Sequence, residues 1–196
     1  MHQQGGEHHE PRAAEVEQEP IPPRVYVASL SDYNDGRLHG AWIEAAIEDD
    51  ELYEQVEAML ARSPMPRAEE WAIHDFEGFC GVELHEYDTL ETVGRIARGI
   101  AEHGPAFGAF VRLVGTEQAS DDDRFEDAFL GHFASMADFA RHVADDLGLE
   151  ERLDRLAGEL RPYVVIDYEA FARDLSHDTG EEDAPDGGVF VFDLRT

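Results

Sequence analysis

Charge is the constraint that any fold of this chain must satisfy. Forty-five residues are Asp or Glu and fifteen are basic, which leaves a net charge of −30 over 196 residues. Like charges at that density repel one another and oppose compaction. A folded form must therefore spread the carboxylates over its outside and build its interior from the 42% of residues that are hydrophobic. All fifteen basic residues are Arg, and lysine is absent.

The same imbalance excludes classes of function. Direct binding to nucleic acid needs a positive footprint, which this chain lacks. An anionic membrane surface is excluded for the same reason. The natural partner of such a surface is a basic one. Cys80 is the only cysteine, so no intrachain disulfide can form and a reducing compartment is indicated. The first 23 residues have no apolar core of signal-peptide length. No apolar run reaches the ~18 residues of a membrane span. The expectation is a cytoplasmic protein.

Hydrophobic periodicity indicates an α+β fold in three small units, 24–87, 88–121 and 122–196, behind a polar, Pro- and Glu-rich tail at 1–23 that is expected to be disordered. In the first unit, Val25 to Leu30 alternates as a strand does. Asn34, Asp35 and Gly36 carry turn chemistry, and Gly40 to Ala45 reads as the return strand. Leu52, Val56, Met59 and Leu60 then follow helical spacing up to Pro64. Residues 70–79, EWAIHDFEGF, read as a third strand and a turn.

The middle unit is helical. Leu90, Val93, Ile96, Ala97 and Ile100 form a stripe broken at Gly104-Pro105, and Phe107, Phe110, Val111 and Val114 form a second. In the last unit, RFEDAFL (124–130) reads as a strand. Met136 to Leu147 and Leu153 to Leu160 read as helices, and so does IDYEAFARDL (166–175). HDTGEEDAPDGG (177–188) reads as an acidic loop and VFVFDL (189–194) as a closing strand.

Catalytic constellations are thin. His74, Asp75, Glu77, His85 and Glu86 lie close in sequence but lack the HExxH or paired-Cys spacing of a metal site. Cys80 could act as a nucleophile only with a base such as His74 or His85 beside it. Paired carboxylates carry no signal where 45 acids guarantee close pairs. No glycine-rich phosphate loop occurs. The sequence indicates no enzyme, no cofactor and no metal.

What stands out is acid on segments with apolar inner faces. Glu48, Asp49, Asp50 and Glu51 crowd a helix start, where carboxylates suit the dipole, and Glu54 and Glu57 continue its outer face. Asp121, Asp122, Asp123, Glu126 and Asp127 form a second cluster. Asp145, Asp146, Glu150, Glu151 and Asp154 form a third. Duplex DNA carries one charge per ~1.7 Å of axis, so thirty net charges match roughly 50 Å of duplex. Carboxylates four residues apart on a helix lie about 6 Å apart along it, of the order of phosphate spacing. Charge alone favours a simpler reading, a solvated acidic shell that prevents aggregation.

The stretch VYVASLSDYNDGRLHGAWIEA, Val25 to Ala45, shifts that balance. Its strand, its Tyr33-Asn34-x-Gly36 and its Gly40-x-Trp42 resemble the N-terminal signature of the ArdA antirestriction proteins. WAIHDFEGF at 71–79, IDYEAFARDL at 166–175 and GGVFVFDL at 187–194 resemble further segments of that family in the same order. Phe76 stands where the family often has Tyr. The resemblance implies an elongated, three-domain, acidic homodimer. It implies a DNA mimic that occupies the DNA-binding groove of type I restriction-modification enzymes and protects incoming mobile DNA. On that reading Tyr33, Asn34, Gly36 and Gly40 shape the scaffold, and Trp42 anchors a core. The three acid clusters are then the candidate partner-binding residues. Two alternatives remain open: a general acidic adaptor for basic DNA-binding proteins, and a small hydrolase using Cys80 or His74.

Overall fold

The structure, a computed structural model, describes residues 21–120 and 122–195; of Ser120, Asp122 and Asp123 only the backbone is described. The architecture is α+β, with two small antiparallel sheets and helices between and beside them.

The first sheet has strand order β2-β1-β3, with β1 at Arg24–Ser29, β2 at Gly40–Glu44 and β3 at Trp71–Glu77. β1 pairs with both neighbours, Val25 lying opposite Ile43 and Phe76. Alternation sends Val25, Val27, Ile43 and Ile73 inward. The carbonyl of Pro23 accepts from the Ala45 amide at 2.9 Å, so the ladder begins one residue before β1. Leu30 does not extend the strand. Leu30–Asn34 forms one helical turn, α1, capped by the Ser29 hydroxyl, and Gly36 then takes φ 78° to reverse the chain. Asp32 in that turn is fully buried. The Ser63 hydroxyl donates to one of its oxygens at 2.5 Å.

Helix α2, Asp49–Leu60, lays Leu52, Val56 and Met59 on the sheet. Against it packs α3, Leu90–His103, whose stripe of Leu90, Val93, Ile96, Ala97 and Ile100 is buried as its spacing predicts. Gly104, at φ 66°, ends α3, and Pro105 opens α4, Pro105–Val114. α3 and α4 approach closely at Gly99, where an added methyl would stand 2.4 Å from the Phe107 ring.

The second sheet has order β4-β6-β5, with β4 at Phe129–Phe133, β5 at Thr179–Asp183 and β6 at Val189–Asp193. Its central strand is covered on both faces, which is why it reads VFVFD without polar alternation. Phe190 and Phe192 meet Phe129, and Phe192 meets Phe110 of α4 with ring centroids 5.7 Å apart. On the other face lie Val191 and Phe133, the latter 5.1 Å from Phe139. Phe139 belongs to α6, Met136–Asp146, which packs against α8, Tyr168–Leu175. One apolar cluster thus runs unbroken from Val25 through α3 and α4 to Phe192.

Three segments differ from the sequence expectation. RFEDAFL is mostly helix: α5 spans Asp122–Ala128, and the strand starts only at Phe129. Phe125 and Ala128 sit one turn apart and are both buried, a spacing that a strand would send to opposite faces. Residues 179–183, expected within an acidic loop, form β5. Gly, Glu and Asp are weak strand formers. Here pairing to β6 and an ion pair to Glu182 override that preference. The helix expected across Leu153 to Leu160 is α7, Leu149–Ala157. It passes into a 3-10 turn over Gly158–Tyr163 that accommodates Pro162.

Candidate functional site: an acidic helix face

Sequence places six carboxylates on or beside α2, and the fold keeps five of them free. Glu48, Asp50, Glu51, Glu54 and Glu57 are exposed, and none has an ion-pair partner among the described residues. Asp49 differs. It is half-buried and accepts from Arg98 of α3 at 2.9 Å, so it staples the helix start to its neighbour. The opposite face of α2 is buried through Leu52, Val56 and Met59, which fixes the ridge in orientation. Crowded carboxylates cost least here because three of them lie in the first helical turn, at the positive end of the dipole.

One neighbour was missed by periodicity. Tyr53 of α2 donates its hydroxyl to Glu91 of α3 at 2.7 Å. The Glu91 carboxyl sits below its ordinary value, chiefly through that hydrogen bond. Glu91 in the first turn of α3 therefore extends the ridge to a second helix. The sequence signal for it is Thr89, whose hydroxyl accepts from the Thr92 amide and so caps the start of α3 just before Glu91.

The second cluster is only partly visible. Asp121 lies outside the described residues, as do the side chains of Asp122 and Asp123. Glu126 and Asp127 are exposed on α5. The third cluster divides. Asp145 and Glu151 are exposed and unpaired among the described residues, whereas Arg161 grips both Glu150 and Asp154. Glu150 also accepts from Tyr168 at 3.1 Å, and His142 lies 3.5 Å from Asp146. Glu150 and Asp154 thus tie α7 to the turn that follows it.

Trp42 corrects a sequence expectation. It is 40% exposed on the outer face of the first sheet, rather than anchoring a core. There it meets Tyr26 edge-on at 5.6 Å and carries the Arg24 guanidinium 4.9 Å over its ring. Tyr33 is exposed too, against His74 at 4.8 Å. Gly40 is required by contact, since a methyl there would stand 2.5 Å from the Val27 carbonyl oxygen.

The residues of the hydrolase alternative do not assemble. Cys80 is half-buried with φ 50°, and its sulfur's one hydrogen-bond partner among the described residues is the Gly78 carbonyl, at 4.0 Å. Burial pushes its thiol up, against a smaller opposite pull from Arg112. A nucleophilic cysteine needs the reverse shift. His74 meets Tyr33 edge to face, and His85 bonds through its backbone amide to Asp88. Among the described residues, no three His, Cys, Asp or Glu side chains converge to hold a metal ion. No helix among them is long and apolar enough to cross a membrane.

Comparison with known proteins places this geometry in context. A family profile described as antirestriction protein (ArdA) matches residues 25–189. No curated protein matches the chain significantly.

Proposed function

This chain belongs to the ArdA family of antirestriction proteins, and on that premise we propose that it is a DNA mimic acting on type I restriction-modification enzymes. It occupies their DNA-binding groove in the cytoplasm and so protects incoming mobile DNA. It acts as a homodimer, with the units 24–87, 88–121 and 122–196 arranged along an elongated body.

The observation that carries this reading is the α2 ridge. Five unpaired carboxylates are displayed on a helix whose other face is locked into the core. An acidic shell built only for solubility has no need to hold charges in fixed positions. A surface that stands in for phosphates does, because ordering charges beforehand lowers the cost of binding. The contribution is distributed, since each exposed pair formed is worth about 0–1 kcal/mol. One carboxylate removed changes little; a neutralised ridge changes much.

The test measures binding of the purified protein to a type I restriction enzyme without DNA, because salt weakens DNA binding as well. Changing Glu48, Glu51, Glu54 and Glu57 to Gln and Asp50 to Asn is expected to weaken binding severely and flatten its salt dependence. Glu54→Gln alone should leave it within a few-fold. Cys80→Ala and His74→Ala should leave it unchanged. A folded, neutralised variant that binds like the parent at low and high salt would remove the mimic reading.

A further inference from the structure

We propose that the outer face of the first sheet, centred on Trp42 and Tyr26, is a second partner-binding surface, one that takes arginine side chains from the basic groove. The inference rests on the mimic reading and adds to the ridge a contact of different chemistry.

Strand alternation builds the face. β1 sends Val25 and Val27 into the core, so Arg24 and Tyr26 point the other way. Register then sets their neighbours. Trp42, Tyr26 and Asp75 form one row across the three strands, and Glu44, Arg24 and Glu77 form the next. Helix α2 covers the inner face and leaves this one wet, with Trp42 40% exposed and Glu44 and Asp75 exposed beside it. The ridge and the aromatic rows thus look away from each other across one layer of helix and sheet. A groove deep enough to hold a duplex surrounds such a unit and reaches both faces.

The face already shows what it binds. The Arg24 guanidinium pairs with Glu77 and lies 4.9 Å over the Trp42 ring. An aromatic face with a carboxylate beside it is a guanidinium receptor. Acceptors for a second cation remain. Glu44 stands two residues from Trp42 on the same strand face, and Asp75 lies across from Tyr26. Neither has an ion-pair partner among the described residues. The remaining pair nearby, Arg37 with Asp35, neutralises itself.

Charge selects the occupant. Both free charges in the two rows are negative, so a second copy of this face would set carboxylates against carboxylates. Residues 1–20 hold five Glu and one Arg, the same sign again. A basic protein surface has the opposite sign. Arginine suits it better than lysine, because a planar, weakly hydrated guanidinium stacks on a ring and forks to a carboxylate, whereas an ammonium holds its water.

Binding of the full chain to a type I enzyme without DNA tests the face. Trp42→Leu keeps an apolar side chain but removes the ring, and should weaken binding about 10-fold. The loss should persist at high salt, where the loss in the ridge variant fades. Trp42 points away from the core, so circular dichroism should be unchanged. A second arm needs no enzyme. In a Trp71→Phe chain Trp42 is the sole tryptophan, and its emission should change more with octa-arginine than with octa-lysine. A folded Trp42→Leu chain that binds like the parent, a loss that vanishes at high salt, or emission that responds alike to the two peptides would each overturn the proposal. A parent that does not bind the enzyme removes the mimic reading, and the peptide titration then decides for or against the arginine site by itself.

Discussion

Arg112 of α4 grips Glu182 of β5 with two nitrogens, Nε at 3.0 Å and Nη2 at 2.7 Å, while Nη1 donates to the Cys80 carbonyl. One side chain thus joins the turn after β3, 32 residues before it, and the second sheet, 70 residues after it, to the middle helix. Both partners are about 30% exposed or less, so solvent screens the pair only in part.

Removing that tie should be felt by the whole molecule. Arg112→Ala is expected to cost about 1–2 kcal/mol, since a charge-assisted fork is lost and Glu182 is left partly buried. The apolar cluster is continuous from Val25 to Phe192. The loss should therefore shift one cooperative urea transition rather than split it in two. Two separated transitions in the variant would show that the sheets fold independently.

Gly99 offers a test of sign. In the interior of a helix, Gly→Ala ordinarily stabilises by about 0.5–1 kcal/mol. Here the new methyl would stand 2.4 Å from the buried Phe107 ring. Overpacking costs about 1–3 kcal/mol, so the net change should be destabilising. Thermal unfolding of Gly99→Ala decides it: a Tm above the parent's would mean that α3 and α4 can slide apart freely.

Acid should weaken the fold through two carboxyls. Asp193 is held down to about 2 by hydrogen bonds from the side chain and backbone of Arg195. An unfolded Asp titrates near 3.9. The folded value is the lower one, so this stabilisation is present above about pH 4 and is lost as pH falls through about 2. Asp193→Asn should cost about 1 kcal/mol at neutral pH, after discounting for the exposed Arg195, and nothing at the acid end. For Asp32, burial favours the neutral form. Hydrogen bonds from Ser63 and Ser29, with His39 and Arg37 nearby, outweigh it and leave the carboxyl below its ordinary value. Its contribution has the same sign. Equal losses for Asp193→Asn at both pH values would contradict this account.

The helices with one buried stripe were legible in sequence. Val93, Ile96 and Ile100 could serve no other structure, and Gly104-Pro105 marks where their helix must stop. The ridge of α2 was legible as well, because 3.6 residues per turn place Asp50, Glu54 and Glu57 opposite Leu52 and Val56 whatever the fold. Less legible were segments whose state depends on a distant partner. Phe125 and Phe129, four residues apart, fit either period within RFEDAFL, and packing of Phe125 on the rings of Phe107 and Phe192 selects the helix.

Local chemistry by itself determined the acidity, the α+β composition, the turn at Gly36 and which helix faces turn inward. Tertiary structure alone decided which carboxylates remain free. Glu54 and Glu150 are both carboxylates on an acidic helix, but Arg161 closes on Glu150 while Glu54 has no ion-pair partner among the described residues. It also decided that the strand TGEED forms, that Trp42 faces outward, and that the stripe of α7 stays uncovered. The physical reason is the range of the forces. Backbone periodicity and turn propensity act within a few residues, whereas ion pairing and burial are settled by groups that only folding brings together.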